Sequence, residues 1–339
     1  TLADVDALFI CQPDDFFAGL SFAEYLGLQP RYTDNNRTGG SAFMSHMAVA
    51  AMMLEAGYID CALIAYGSNQ RSNGGKLATK ITNNQWDAPY APIFPLTGYA
   101  LAAARHMHEY GTTREQLAEV AVAARAWAQL NPEAFMRDPL TIEQVLGARM
   151  VADPFTVRDC CLVTDGGGAF VLSRAEDAQR GPNAPIYVLG NATACWNRQI
   201  SSMPDLTVTA ASQSGAQAFA MAGLTAQDMD VVELYDAFTI NTLLFLEDLG
   251  FVNKGEAGAF VASGAIAPGG SLPVNTNGGG LSCVHPGMYG IFALIEAVRQ
   301  LRGHCGERQV AGAQLALAHG NGGTLSSQAT AILGTAATL

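Results

Sequence analysis

Three segments recur in the same order in the two halves of this chain, and such a duplication restricts the fold more than any bulk property does. Residues 1–10 read TLADVDALFI and residues 225–234 read TAQDMDVVEL, each an acidic turn followed by a short apolar run. Asn35-Asn36-Arg37-Thr38-Gly39-Gly40-Ser41 leads into an apolar helix-like stretch at 42–57, and Asn275-Thr276-Asn277-Gly278-Gly279-Gly280 leads toward a second at 288–302. Each is followed by a strand-like run ending in a glycine turn, ALIAYGSN at 62–69 and LALAHGNG at 315–322. Strand, helix and strand in that order form an α/β unit, and the pattern predicts two of them. The first copy is expected to span 1–185 and the second 186–339.

The second copy has a strand-like piece at 186–189 and a helix-like piece at 208–223 before its acidic turn. Nothing in the first copy matches them, so the repeat leads one to expect a strand and a helix that this sequence does not include. An insertion of about 70–165 separates the halves. It opens with the polar stretch Asn69 to Lys76, continues through the aromatic and proline-rich stretch Trp86 to Tyr99, and holds two helical patterns. The second pattern starts at Thr113 with Glu115 and Gln116 near its N-terminus, a capping arrangement, and stops before Asn131-Pro132. An insertion so placed is expected to roof a cleft between the halves.

A net charge of −12 argues against nucleic acid, whose binding is driven by basic patches. No apolar run approaches the roughly 20 residues of a membrane-spanning helix, and no secretory signal is seen. The seven cysteines, at 11, 61, 160, 161, 195, 283 and 305, form no C-x-x-C pair, so neither a zinc site nor a disulfide framework is expected. Reduced thiols fit a cytoplasmic protein. No metal is predicted: His106 and His108 stand two apart and cannot share a helix face.

The chemistry-bearing residues crowd into the second copy. His285 lies in His285-Pro286-Gly287-Met288-Tyr289-Gly290, just before a helix and after the Gly278-Gly279-Gly280 run. Backbone N–H groups there suit an anion or a developing oxyanion, although a glycine turn beside a core histidine is an equally economical explanation. His319, in Ala318-His319-Gly320-Asn321-Gly322-Gly323, ends a strand that the repeat places at the same cleft. Tyr235 follows the apolar run VVEL and precedes Asp236-Ala237-Phe238, at a strand's C-terminal end, where α/β sites gather. A satisfied core tyrosine is the plain alternative.

Taken together, NTNGGGLSCVHPGMYGIFALIEAVRQLRG, AHGNGG and DCCLVTDGGGAFVL resemble the thiolase superfamily, most closely its lipid-transfer-protein branch. The resemblance covers nearly the whole chain. It implies a duplicated five-layered αβαβα fold with an inserted loop domain, usually dimeric, acting on acyl-CoA thioesters with coenzyme A as part of the substrate and no other cofactor.

The departures from the family pattern matter as much. Thiolysis requires a cysteine at the N-terminus of the first copy's buried helix, where the helix favours a thiolate. Aligned on Thr38-Gly39-Gly40-Ser41-Ala42, that place falls at Asn36, and no cysteine lies between Cys11 and Cys61. The family's second cysteine corresponds to His319. A site that holds a thioester oxygen without a nucleophile suits enolate chemistry. The pattern looks like the steroid side-chain-cleaving aldolases, in which a tyrosine pair is implicated. That resemblance assigns proton transfer to Tyr235 and Tyr289, and the thioester oxygen to His285 with His319 or backbone amides. It implies cleavage of a 17-hydroxy steroid carboxyl-CoA ester to a 17-ketosteroid and propionyl-CoA, and a small partner protein with an OB-fold domain.

Two other readings stay open on sequence. Cys283, two residues before His285, would be the nucleophile of an acyltransferase, and a buried structural thiol explains it as well. A non-catalytic acyl-CoA or lipid carrier is the third reading. Arg71, Lys76 and Lys80 form a basic group that fits nucleotide phosphates or simply a solvated loop. Trp86, Tyr90 and Phe94 fit either an apolar pocket or core packing.

Overall fold

The computed structural model describes residues 1–13, 15–73, 85–178, 181 and 183–339. Lys76 and Lys80 lie outside these residues. The strands are β1 (Ala7–Ile10), β2 (Tyr32–Asn35), β3 (Cys61–Ser68), β4 (Met150–Ala152), β5 (Phe155–Thr156), β6 (Gly166–Ser173), β7 (Tyr187–Cys195), β8 (Val231–Leu234), β9 (Leu315–Gly322) and β10 (Ser327–Gly334). The helices are α1 (Ala18–Leu26), α2 (Ala42–Glu55), α3 (Leu96–Tyr110), α4 (Arg114–Gln129), α5 (Ile142–Leu146), α6 (Ala175–Ala178), α7 (Ala211–Ala222), α8 (Thr239–Asp248), α9 (Ala257–Ala262) and α10 (Gly290–Leu301).

Two four-stranded sheets run in the orders β2-β1-β3-β6 and β7-β10-β9-β8. β1 is parallel to β3, and β6 closes antiparallel on β3. β8 is likewise parallel to β9, and β10 closes antiparallel on β9. The duplication read from sequence is therefore present in the strand pairing. The copies differ at one edge. β10 is paired with β9 and β7 and is buried throughout, whereas β6 pairs with β3 alone among the described strands and alternates half-buried with exposed residues.

α2 and α10 pack between the two sheets, α1 covers the outer face of the first, and α7 and α8 cover the second. Helix, sheet, helix, sheet, helix gives five layers. A helix in the middle layer meets sheet on both sides, so it needs apolar or small residues on more than one face. AFMSHMAVAAMMLE in α2 supplies them, burying Phe43, Met44, Met47 and Leu54. Among the described residues no helix is long and apolar enough to cross a membrane.

The insertion is fastened to the second copy. The cap expected at Thr113 is present, and it is Gln116 that reciprocates it at the start of α4. Arg114 forms a two-pronged pair with the buried Asp159, which also accepts from Thr239 at the start of α8. Further along α4, Arg125 donates to Ser282 Oγ at 2.9 Å, and Asn131, just past the helix end, donates to the Asn277 carbonyl at 2.9 Å. The glycine-rich segment before His285 is thus braced by the inserted helix.

Candidate active site

Tyr235 stands one residue beyond β8, and its N–H donates to the His319 carbonyl at 3.1 Å. This β-pairing aims the side chain across the ends of the strands toward the start of α2. Only glycine fits below it: a Cβ on Gly40 would lie 1.9 Å from Tyr235 Cε2. The Tyr235 hydroxyl lies 3.1 Å from His285 Nε2, and the two rings are perpendicular. His285 is held in turn through its backbone N–H, which donates to Thr164 Oγ1 at 3.0 Å. Thr164 lies in the strand-leading segment of the other copy, so both halves build the pair.

Tyr289 joins the cluster as its third ring. It lies parallel to His285 at 6.5 Å between centroids and edge-on to Tyr235 at 5.9 Å. Its hydroxyl donates to Asn277 Oδ1 at 2.9 Å, and the same oxygen accepts from Gly279 N at 2.7 Å. Asp236 completes the framework by accepting from Gly280 N at 2.6 Å and Leu281 N at 3.3 Å. Gly279 has φ +64°, and a Cβ there would meet the Asp236 carboxylate at 2.0 Å. The loop can therefore wrap this carboxyl only as glycine.

Burial sets the protonation states. His285 is pushed down to about 4, which leaves a neutral imidazole at neutral pH. Burial raises both phenols well above 10, so Tyr235 and Tyr289 keep their protons. Asp236 is pushed up to about 7 by burial, against the pull of its two backbone donors. Tyr235, His285 and Tyr289 are thus a buried set of neutral donors and acceptors through which a proton can pass.

Of the four residues singled out by sequence, Tyr235, His285 and Tyr289 come together and the His319 imidazole stands apart. Its ring nitrogens are 2.9 Å from Gln328 Oε1 and from Thr330 Oγ1, both on β10, and it packs on Phe245. Side chains alternate along a strand. His319 therefore turns into the layer between β9 and α8, and what it offers Tyr235 is its carbonyl. Its neighbour two residues on, Asn321, receives Gln328 Nε2 and donates to the Tyr99 hydroxyl at 2.7 Å.

Asn36, set by the sequence alignment at the nucleophile's place, makes local hydrogen bonds. Its Oδ1 accepts from Thr38 N at 2.9 Å and its N–H donates to His46 Nε2 at 3.3 Å. Gly40 is the residue of that segment that meets Tyr235. Cys283 faces Asn131 and packs with Ala128 and Ala134, with its thiol pushed up to about 12 by burial. Cys11 lies against Met288 Sδ at 3.1 Å, and burial pushes it too up to about 12. Cys161 sits beside the cluster, its N–H on the Ala237 carbonyl, and burial raises its thiol as well. None of these environments favours a thiolate. Arg71 spends its guanidinium on the face of Phe135 and on the Val163 carbonyl.

Asn277 and Asp236 escaped the reading from sequence. The signal was present in the NTNGGG run and in the residue after Tyr235. A polar residue pinned inside a glycine turn has to satisfy the backbone groups that the glycines leave bare.

A family model described as thiolase C-terminal domain-like matches residues 192–335. The acetyl-CoA acetyltransferase of Methanothermobacter thermautotrophicus is 38% identical over 95% of this chain and 86% of its own length. The 17-hydroxy-3-oxo-4-pregnene-20-carboxyl-CoA lyase of Mycobacterium tuberculosis is 35% identical over 78% of this chain and 72% of its own. A solved structure described as an Ltp2-ChsH2(DUF35) aldolase superposes with a TM-score of 0.87 at 30% identity, covering 98% of this chain and 88% of that one.

Proposed function

The chain belongs to the thiolase superfamily, and on that premise we propose that it cleaves a β-hydroxyacyl-CoA thioester by a retro-aldol reaction. The observation that carries this reading is the Tyr235–His285 contact at 3.1 Å. In the reaction the substrate's β-hydroxyl gives its proton to Tyr235 as Tyr235 passes its own to the neutral His285. The bond between the α and β carbons breaks, a ketone leaves, and the electron pair becomes a thioester enolate. The same relay run backward returns a proton to the α carbon, so protons balance and no oxidant is required. The N-terminal turn of α2, packed under Tyr235 at Gly40, supplies the positive end of a helix dipole toward the enolate oxygen.

The aldolase relatives support a steroid side-chain ester as substrate, giving a 17-ketosteroid and propionyl-CoA. The Ltp2-ChsH2(DUF35) neighbour supports a partner of the DUF35 kind. An OB-fold domain in that partner and a homodimer of this chain are proposed on the family resemblance alone. A cytoplasmic setting fits the reduced cysteines. The test is incubation of the whole chain, with and without such a partner, with 17-hydroxy-3-oxo-4-pregnene-20-carboxyl-CoA. Mass spectrometry should find ketone and propionyl-CoA in equal amounts. Turnover of 3-oxoacyl-CoA with free CoA, and no ketone from the hydroxy ester, would overturn the reading.

That second outcome is the acyltransferase reading, which the 38% identical acetyltransferase favours. It requires an acyl-enzyme on one of the buried thiols, and intact mass after exposure to 3-oxoacyl-CoA would reveal the adduct.

A further inference from the structure

A second set of ionisable groups is buried between β8 and α10, outside the pair formed by Tyr235 and His285. Glu233 on β8 is fully buried, and its Oε1 lies 3.1 Å from Thr276 N and 2.8 Å from Thr276 Oγ1. The same hydroxyl lies 2.9 Å from Glu296 Oε1 on α10 and accepts from Gln300 Nε2 at 2.9 Å. The Gln300 amide is fixed in this orientation because its Oε1 accepts from Val310 N at 2.9 Å. Arg308 grips Glu296 with two N–H groups, Nε on Oε1 at 2.8 Å and Nη2 on Oε2 at 3.0 Å. Glu233 forms no ion pair among the described residues, and its Oε2 is buried without a hydrogen-bond partner.

The charge on Glu233 follows from the hydrogens around Thr276. A hydroxyl has one hydrogen and two lone pairs. Thr276 Oγ1 spends one lone pair on Gln300, so its single hydrogen and its other lone pair face two carboxyl oxygens. With both carboxyls ionised, one of the two short O···O contacts would hold no hydrogen and would be repulsive. One carboxyl therefore carries a proton. Glu296 gives both oxygens to the guanidinium as acceptors, so the proton belongs to Glu233 and lies on Oε1, toward Thr276. The hydroxyl then donates to Glu296, and each contact around it is satisfied. The remaining Oε2 is a carbonyl oxygen, whose burial costs far less than that of half a carboxylate charge. Burial and the Glu296 charge raise Glu233 well above 4.5, in the same sense. The other ionisable groups near it, Asp236, Tyr289 and, beyond Glu296, Cys305, bring no positive charge to oppose this.

This acid sits where the glycine turn is fastened to β8. Val232 N donates to the Pro273 carbonyl, Asn275 N donates to the Val232 carbonyl, and Leu234 N donates to Asn275 Oδ1 at 2.6 Å. Thr276, held by Glu233, comes next, and Asn277, whose Oδ1 accepts the Tyr289 hydroxyl, follows it. We propose that Glu233 is a positioning residue for Tyr289: held as the neutral acid, it pins Thr276 with its proton and so sets the place of Asn277 Oδ1. The inference rests on the retro-aldol reading only for the part Tyr289 plays in the site. Loss of the proton would set two carboxylates against one hydroxyl hydrogen, and the turn would loosen at Thr276.

Two spectroscopic measurements on the whole chain test this without any substrate. Infrared spectra of protein carrying carbon-13 in its glutamate carboxyls should show the band of an un-ionised acid at pH 8, and Glu233→Gln should lack it. Labelling glutamate alone keeps Asp236 out of this band. In protein carrying carbon-13 at tyrosine Cζ, the Tyr289 resonance is identified by its loss in Tyr289→Phe. It should shift in Glu233→Gln, because the amide that accepts from Thr276 N has no hydrogen left for Thr276 Oγ1, while the exposed Tyr25 and Tyr90 stay in place. Thr276→Val removes the hydroxyl itself and should shift both the acid band and the Tyr289 resonance, which serves where Glu233→Gln does not fold. Absence of the acid band from wild type at pH 8, or a Tyr289 resonance unmoved by these substitutions, overturns the proposal. If both signals behave as expected and no ester is cleaved, Glu233 keeps its role in placing Tyr289 and the lyase reading fails instead.

Discussion

The Tyr235 hydroxyl and His285 Nε2 lie 3.1 Å apart with their rings at right angles, each held by backbone contacts that the other does not share. The pair is preformed, and chemistry that uses it requires no side-chain rearrangement. Tyr235→Phe removes one oxygen atom from this relay and leaves the ring over Gly40. Ketone release from a β-hydroxyacyl-CoA should fall by about 100-fold to 10,000-fold, the usual worth of a positioned proton donor. Stability should fall by only about 1 kcal/mol. Steady-state assay and urea unfolding on the same preparation check both halves.

Tyr289→Phe should behave differently, although sequence alone gave the two phenols equal roles. Its hydroxyl is committed to Asn277 Oδ1, an oxygen that keeps Gly279 N when the hydroxyl is gone. Stability should drop by about 1 kcal/mol, and kcat should fall roughly tenfold or less, below the range for a group that transfers the proton itself. A kcat loss equal to that of Tyr235→Phe would mean that the Tyr289 phenol leaves Asn277 when substrate arrives.

His319→Gln should leave turnover within a few-fold of wild type, because the imidazole bonds to Gln328 and Thr330 and not to Tyr235. Its signature is in stability against pH. Burial holds His319 at about 4, below the ordinary 6.5. Between those values the unfolded chain binds a proton and the folded chain does not, so stability rises with pH there and is lost as pH falls from about 6.5 toward 4. The variant should lose less stability between pH 7 and pH 4.5 than wild type does. His285 and His46, also held near 4 by burial, keep part of the slope. Identical slopes in urea midpoints would mean that His319 titrates as an exposed histidine does.

How much of this was legible in the sequence follows from what each signal encodes. Periodicity and turn chemistry are local, so α4 with its cap at Thr113, β9, and the buried helices after the two glycine runs could be read directly. α8 was not recognised, because TINTLLFLED is buried on every side and shows no amphipathic stripe. Which way a strand-end residue points depends on pairing register, a long-range property. Register turns the His319 ring away from Tyr235 while β8 and β9 hold their backbones together. The partner of a polar side chain is equally nonlocal: nothing near Tyr289 announces that its hydroxyl donates to Asn277 Oδ1.

Asp236 offers the sharpest test of how the glycine loop is held. Its carboxyl is pushed up to about 7 by burial, above the ordinary carboxylate value. Between about 4 and about 7 the folded chain therefore holds a proton that the unfolded chain has released, and stability falls as pH rises through that window. This slope opposes the one from the histidines, and Asp236→Asn should abolish it. Asparagine keeps an oxygen for Gly280 N, the shorter contact, but sets an amide N–H2 against Leu281 N, so some stability is lost even at pH 5. The deficit relative to wild type should then shrink by pH 8, because only wild type has to ionise a buried acid. Turnover should fall as the loop that leads to His285 loosens, with kcat affected more than KM. A deficit that stays constant from pH 5 to pH 8 in urea titrations would mean that the carboxyl ionises in the ordinary range, and that its two backbone donors outweigh its burial.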